Sequence, residues 1–156
     1  MYSAISKNGN THFYFNGQLI LKAVTWKYFC FDKFYIEDSK GSKLIEISIL
    51  SMFGFWKKYS IKSQNLKNYV ELFKFKGQLI LKAGNKEIYI NKKNKLRKFE
   101  GEFFLNKKKY GYFDNKLTMF KSTFTFHFQT QDEDTNTYCI MLFSIMVIDK
   151  FNFGPS

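Results

Sequence analysis

The stretch that most limits what this chain can become is Tyr138–Ile148, Tyr-Cys-Ile-Met-Leu-Phe-Ser-Ile-Met-Val-Ile, an apolar run interrupted by Ser144. Acidic and small polar residues precede it (Asp132 to Thr137), and Asp149-Lys150 follows. A segment apolar on every side has no face to give to water, so it belongs in the middle of something. As a helix from Thr137 to Lys150 it would reach about 21 Å at about 1.5 Å per residue, short of a hydrocarbon layer of roughly 30 Å. No transmembrane span is expected. The rest of the chain is expected to wrap around this piece.

That remainder reads as strands. Of the 156 residues, 21% are aromatic, with 20 Phe and 10 Tyr, and the single proline is Pro155. Phe, Tyr, Ile and Thr favour a pleated, half-buried surface. Thr11–Phe15 leads through Asn16-Gly17, the pair that best tolerates positive φ at both centres of a hairpin turn, into Gln18–Val24. His12 then opens a terminal strand. Phe34–Glu37 ends in the turn cluster Asp38-Ser39-Lys40-Gly41. Ile45, Ile47 and Ile49 alternate with Glu46 and Ser48, the pattern of a half-buried strand. Gly54 breaks it, Phe55–Ile61 resumes, and Ser63–Asn65 is the next loop. Later come Glu87–Ile90, a Lys-rich turn at Asn91–Lys95, Leu96–Leu105, a second basic turn at Asn106–Lys109, Tyr110–Phe113, Lys116–Phe120, and Thr123–Gln129. The last places Phe124, Phe126 and Phe128 on one face and Thr125, His127 and Gln129 on the other.

The chain also repeats itself. Gly17-Gln18-Leu19-Ile20-Leu21-Lys22-Ala23 recurs as Gly77-Gln78-Leu79-Ile80-Leu81-Lys82-Ala83, and a Phe-x-Phe precedes each copy (Phe13/Phe15, Phe73/Phe75). Two copies do not make a solenoid. The internal repeat, 13–23 and 73–83, points to two related halves of one sheet. About a dozen short strands with regular turn signals suggest a sandwich or barrel. One domain over 1–156, with its core at about 11–153, accounts for the whole length.

Periodicity does not decide whether the apolar run is a helix or a central strand. Its length, the acids before it and Thr135 or Asn136 as a cap favour a helix, with Ile140, Leu142, Phe143, Ile145, Met146 and Ile148 forming its buried surface. At this point the pattern resembles the tubby C-terminal-like superfamily, nearest its LURP-one-related and phospholipid scramblase-like members. The residues that carry the likeness are Thr123–Asp149, with its alternating Phe strand, Asp132-Glu133-Asp134 and the ending Met146-Val147-Ile148-Asp149. Phe34–Asp38 before Gly41, and Tyr59-Ser60-Ile61, are similar to that family's strand units. The resemblance implies a closed barrel around a central hydrophobic C-terminal helix, and a membrane-proximal habit. The Pro-rich tail and cysteine cluster of scramblase-like proteins are missing. No Lys/Arg pair aligns with the phosphoinositide site of tubby proteins. The fold expected is therefore all-β: a closed barrel of about twelve strands in two related halves enclosing a C-terminal hydrophobic α-helix.

Little here suggests catalysis. The only histidines, His12 and His127, read as structural, and no metal-ligand spacing occurs. Asp132 and Asp134 are the one Ca²⁺ candidate, without EF-hand spacing, and helix-start electrostatics explains them more cheaply. The chain reads as non-enzymatic and without a cofactor. Cys30 and Cys139 do not make a disulfide framework, and the N-terminus lacks a signal-like apolar core. The expectation is a reduced, intracellular protein, cytoplasmic or peripheral at the inner membrane surface.

The net charge is +12, and Arg97 is the only arginine among 25 basic residues. Lysine favours diffuse attraction, whereas specific phosphate or base readers use the planar arginine fork. AT-rich codons, which also supply Phe, Asn, Ile and Tyr, are a second source of this charge. The candidate binding residues are Lys57 and Lys58 beside Phe55 and Trp56, then Lys92, Lys93, Lys95, Arg97 and Lys98, and Lys107, Lys108 and Lys109. They suit an anionic phospholipid surface, with the aromatics at headgroup level. A nucleic acid bound through the same lysines and stacking aromatics, or a protein partner, is the alternative. A solvated lysine surface that keeps an aromatic-rich barrel dispersed is the reading without any ligand.

If the apolar run is interior, Ile145→Asp abolishes soluble expression while Lys108→Glu leaves folding intact. A stable, soluble Ile145→Asp chain would place the run outside the core.

Overall fold

The computed structural model describes the backbone of residues 1–7, 10–27, 31–52, 56–95, 98–117 and 122–151. Side chains at 27, 52, 56, 94, 95, 98, 117 and 148–151 lie outside the described set, Ile148 among them. Twelve strands precede one helix: β1 (Tyr2–Lys7), β2 (Asn10–Phe15), β3 (Gln18–Lys27), β4 (Phe31–Asp38), β5 (Lys43–Met52), β6 (Trp56–Gln64), β7 (Val70–Phe75), β8 (Gln78–Ala83), β9 (Lys86–Lys95), β10 (Lys98–Leu105), β11 (Lys108–Leu117), β12 (Ser122–Phe128) and α1 (Glu133–Phe151). Consecutive strands pair antiparallel, and β1 pairs with β12, so the sheet order is β6-β5-β4-β3-β2-β1-β12-β11-β10-β9-β8-β7. The two outermost strands, β6 and β7, come back beside each other. The result is an all-β barrel around a C-terminal helix, complete but for a ladder at this one seam.

Antiparallel neighbours put successive turns at alternate ends of the barrel. Asn16-Gly17, Ser39–Gly41, Gly84-Asn85 and Asn106-Lys107 share the end at which α1 enters; Lys76-Gly77 lies at the far end. Asn16 and Gly17 have φ of 49° and 81°, as the hairpin signal requires, and Lys76 and Gly77 repeat this with 48° and 78°. The repeated heptapeptide thus follows the same turn twice, in β2–β3 and β7–β8, but a register shift after Phe13 in the first copy buries Phe13, whereas Phe73 in the second is exposed. An odd number of strands separates the copies, so the two hairpins point to opposite ends of the barrel.

Several boundaries differ from the sequence reading. A strand precedes Thr11: β1 turns Ala4 and Ser6 inward, side chains too small to announce a strand, and its extended form comes from pairing with β2 and β12. His12 accordingly sits in the second strand, not the first. Asn91–Lys95 is not a turn but the end of β9, paired with β10. Ser63 and Gln64 belong to β6, and Tyr110–Leu117 is one strand without a break. Gly54, Phe55 and Cys30 lie outside the described residues.

The core is aromatic where strand meets helix. Phe143 of α1 lies 4.9 Å, ring centroid to ring centroid, from each of Phe113, Phe124 and Phe126, edge to face in every case. Phe13 and Phe99 stand 6.3 Å away. Such edge-to-face pairs add about 0.5–1.5 kcal/mol each beyond the area they bury. Gly101 is bare because the Phe113 ring lies over it: a Cβ there would meet that ring at 2.6 Å. From Tyr138 to Val147 every residue of α1 is buried, as are Ile140, Leu142, Phe143, Ile145 and Met146 of the expected core surface.

The helix begins earlier than Thr137. Asp132, not Thr135 or Asn136, is its cap: one carboxylate oxygen accepts from Thr135 N–H (3.2 Å) and the other from the Thr135 hydroxyl (2.6 Å). Lys86 at the start of β9 donates to the same carboxylate at 2.8 Å, tying the helix start to the wall. Thr135 and Asn136 are instead buried within the first turns. Asn136 accepts from the Tyr110 hydroxyl at 2.8 Å and donates to the Thr130 carbonyl at 3.3 Å.

Lys86, then the Thr135 hydroxyl and N–H, hold the Asp132 carboxyl well below the usual carboxylate range, against the opposing effect of burial. The unfolded chain therefore takes up this proton at higher pH than the folded one. The stability it supplies is complete above the ordinary aspartate value of 3.8 and is lost as pH falls toward the depressed folded value. Asp132→Ala should cost about 1–2 kcal/mol in urea unfolding at neutral pH. Below about pH 4 the gap between variant and parent should narrow; a gap independent of pH would remove the carboxylate from this role.

Candidate cationic cleft at the barrel seam

The seam is held at the entry end by one side chain acting as a strand. The Gln64 amide nitrogen donates to the Val70 carbonyl (3.1 Å), and its amide oxygen accepts from Val70 N–H (2.8 Å). Val70 is fully buried, so this amide satisfies two backbone groups that no ladder reaches. Past that point no backbone hydrogen bond joins β6 to β7 among the described residues.

Toward the far end the seam opens into a cleft of about 480 Å³, lined by Tyr59, Lys74, Lys76, Gly77, Gln78, Leu79, Ile90, Asn91, Lys92 and Met146. Alternation explains the chemistry. On β9, Ile88 and Ile90 face the core, and Lys92 follows them on the same face where the barrel runs out. On β7, Val70 and Leu72 face inward and Lys74 follows in the same way. Two lysines are thus carried on the interior face at the mouth, and the turn residue Lys76 joins them. The Lys74 ammonium lies 5.1 Å from the Tyr59 ring centre. Among the described residues no carboxylate lines the cleft and none pairs with these three lysines. Leu79, Ile90 and Met146 of the helix supply its apolar wall. The Gln78 amide donates to the Ile90 carbonyl and to Asn91 Oδ1, both at 3.3 Å.

Among the described residues, the cations singled out in the sequence do not converge on one face. The eight residues of β10 separate the Lys92–Lys98 group, at the far end, from the Asn106-Lys107 turn, at the entry end, by about 25 Å. Lys107 and Lys108 are exposed at the entry end. Lys93 and Lys109 meet instead on the outer wall, where both donate to Glu102 Oε1, at 2.9 and 2.7 Å. Lys109, then Lys93, hold the Glu102 carboxyl below its ordinary range. Arg97 lies outside the described residues; Lys95, Lys98 and Trp56 are described in backbone alone. Lys57 and Lys58 both lie on β6, Lys58 paired with Leu50 of β5.

Asp132 and Asp134, the Ca²⁺ candidates, are engaged by Lys86 (2.8 Å) and Lys67 (3.1 Å), and no cluster of three metal-ligating side chains occurs among the described residues. His127 lies 3.3 Å from Asp114 and stacks on Tyr112 on the outer wall. The thiol of Cys139 is buried in the helix, which pushes its pKa up. Lys74 and Lys76 are the residues that sequence reasoning passed over. Their signal was the repeat itself: Lys76-Gly77 stands where the first copy has Asn16-Gly17.

No helix among the described residues is long and apolar enough to cross a membrane. Comparison with protein-family models, with curated proteins and with solved structures finds no match to this chain.

The Gln64 contact is open to a direct check. Gln64→Leu leaves the N–H and carbonyl of buried Val70 without partners, and should cost about 1–3 kcal/mol in urea unfolding. An unchanged midpoint would show that the seam is held by other means.

Proposed function

We propose that this chain is a non-enzymatic binding domain that docks on anionic phospholipid headgroups with the far end of its barrel. The observation that carries the reading is a coincidence of two kinds of side chain there. Trp26, Phe31, Leu50 and Phe75 are exposed apolar groups at that end, 38–60% accessible. Lys58 lies beside Leu50, and Leu50 beside Phe31, while Lys74, Lys76 and Lys92 surround the cleft. At the entry end, by contrast, Lys43, Lys67 and Lys86 are paired with Glu46, Asp134 and Asp132.

Cations near an anionic leaflet contribute about 1 kcal/mol each, and aromatic side chains settle at the headgroup level. The mixture of apolar wall and ammonium groups in the cleft suits the junction of a charged headgroup with its acyl chains. The resemblance to the tubby C-terminal-like superfamily, with its barrel around a helix and its membrane-proximal habit, supports the same reading. A peripheral location at the inner membrane surface goes with it.

Vesicle flotation tests the proposal. The chain should float with vesicles containing phosphatidylserine, not with phosphatidylcholine alone, and less so as salt is raised. Lys74→Glu/Lys76→Glu/Lys92→Glu should lose about 3 kcal/mol, roughly two orders of magnitude in affinity. Lys107→Glu/Lys108→Glu, at the other end, should float as the parent does. Equal recovery with neutral vesicles at low salt would end the reading, and a salt-sensitive shift of single-stranded oligonucleotides in place of flotation would favour nucleic acid.

A further inference from the structure

Edge strands are rare in a barrel, and this one has two that face each other. β6 is paired through the ladder with β5 alone, and β7 with β8 alone. Such an edge carries a row of backbone donors and acceptors with no ladder partner, the template on which extended chains add. Beyond the Gln64–Val70 contact, β7 is flanked by a shallow hollow of about 330 Å³, lined by Ile61, Val70, Leu72 and Phe73 among others, and, toward the far end, by the cationic cleft at Lys74–Gln78.

From this we infer that the seam takes an extended, acidic segment of a partner protein, which adds as a strand along β7. The inference goes beyond lipid docking and does not depend on it. Gln64 already occupies the Val70 backbone, so the open part of the β7 edge is Leu72–Phe75, about 13 Å, enough for about four residues of ligand. Alternation then sets the ligand's chemistry. One set of its side chains would point to the interior face, toward Lys74 and Lys92, and carboxylates answer these. The other set would lie on the outer wall beside Phe73 and Phe75, which are 39% and 60% exposed. Apolar side chains answer those. A second copy of this chain is the poorer occupant, because each copy carries a net charge of +12 and would bring no excess of carboxylates to the cleft. Peptides that add to a sheet edge gain affinity from main-chain bonds and selectivity from alternate side chains, and this seam supplies both.

The probe is a fluorescein-labelled octapeptide alternating valine and glutamate, read by anisotropy against the full chain. Three relatives serve as controls: an isomer with all valines before all glutamates, and two versions N-methylated at one or the other alternate set. The alternating peptide should bind saturably. The block isomer and at least one N-methylated version should bind about ten-fold more weakly or worse, because they lose the alternation or the backbone donors. Hydrogen exchange should slow at Leu72 and Lys74 on binding, and Lys74→Glu/Lys92→Glu, with unchanged circular dichroism, should bind about ten-fold more weakly. Equal binding of all four peptides would reduce the effect to charge attraction and overturn the inference. So would the absence of saturable binding, or protection gained elsewhere in the chain. The N-methylated comparison needs no variant, and vesicle flotation does not respond to it, so the two readings can fail separately.

Discussion

The barrel is too wide to be filled by its own walls. In a barrel of about eight strands the inward side chains just meet at the axis, and diameter grows roughly linearly with strand number. Twelve strands leave a central space that neither water nor side chains alone can occupy without cost. A helix about 10 Å across, apolar all round, is the object that fits. That need explains both the run from Tyr138 to Val147 and the phenylalanines facing it. Phe13, Phe113, Phe124 and Phe126 are long enough to bridge from the wall to Phe143.

Placing a helix on the axis creates a second demand at its entry end, where N–H groups lack partners. The Asp132 carboxylate meets it at the Thr135 N–H and is held by Lys86, while Tyr110, Asn136 and Thr130 form a second hydrogen-bonded group beside the first turn. Asp132-Glu133-Asp134 lie at the positive end of the helix dipole, and Lys86 and Lys67 pair with Asp132 and Asp134. Among the described residues, the cleft at the far end has no such counter-charges. The acid-paired lysines Lys67 and Lys86 at the entry end, against Lys74, Lys76 and Lys92 around the cleft at the far end, follow from which way the helix enters.

Much of this was legible one segment at a time. The Asn16-Gly17 hairpin, the Asp38–Gly41 turn and the Phe124/Phe126 alternation carry short-range signals that hold in any context, because turn chemistry and strand period are local. The misreadings were local rules overridden by pairing. Ala4 and Ser6 look like no strand, yet β1 exists because β2 and β12 flank it. Asn91–Lys95 looks like a turn, yet its partners on β10 hold it extended. The lysines were the harder case. Lys93 and Lys109 are sixteen positions apart in the chain (109 minus 93) and share one carboxylate, whereas Lys92 and Lys93 are neighbours and face opposite sides of the wall.

The amino-acid sequence alone determined about twelve strands, in a sandwich or a barrel, and a buried C-terminal segment, since hydrophobic period, turn residues and the length of one apolar run are all written locally. Closure around that segment was only what the family resemblance implied. Only the tertiary structure decided where that barrel fails to close and which lysines gather there. Those depend on strand order, on the parity of each strand and on the end at which it terminates, and on Gln64 reaching Val70 across a gap. None of these is a property of any single stretch of residues.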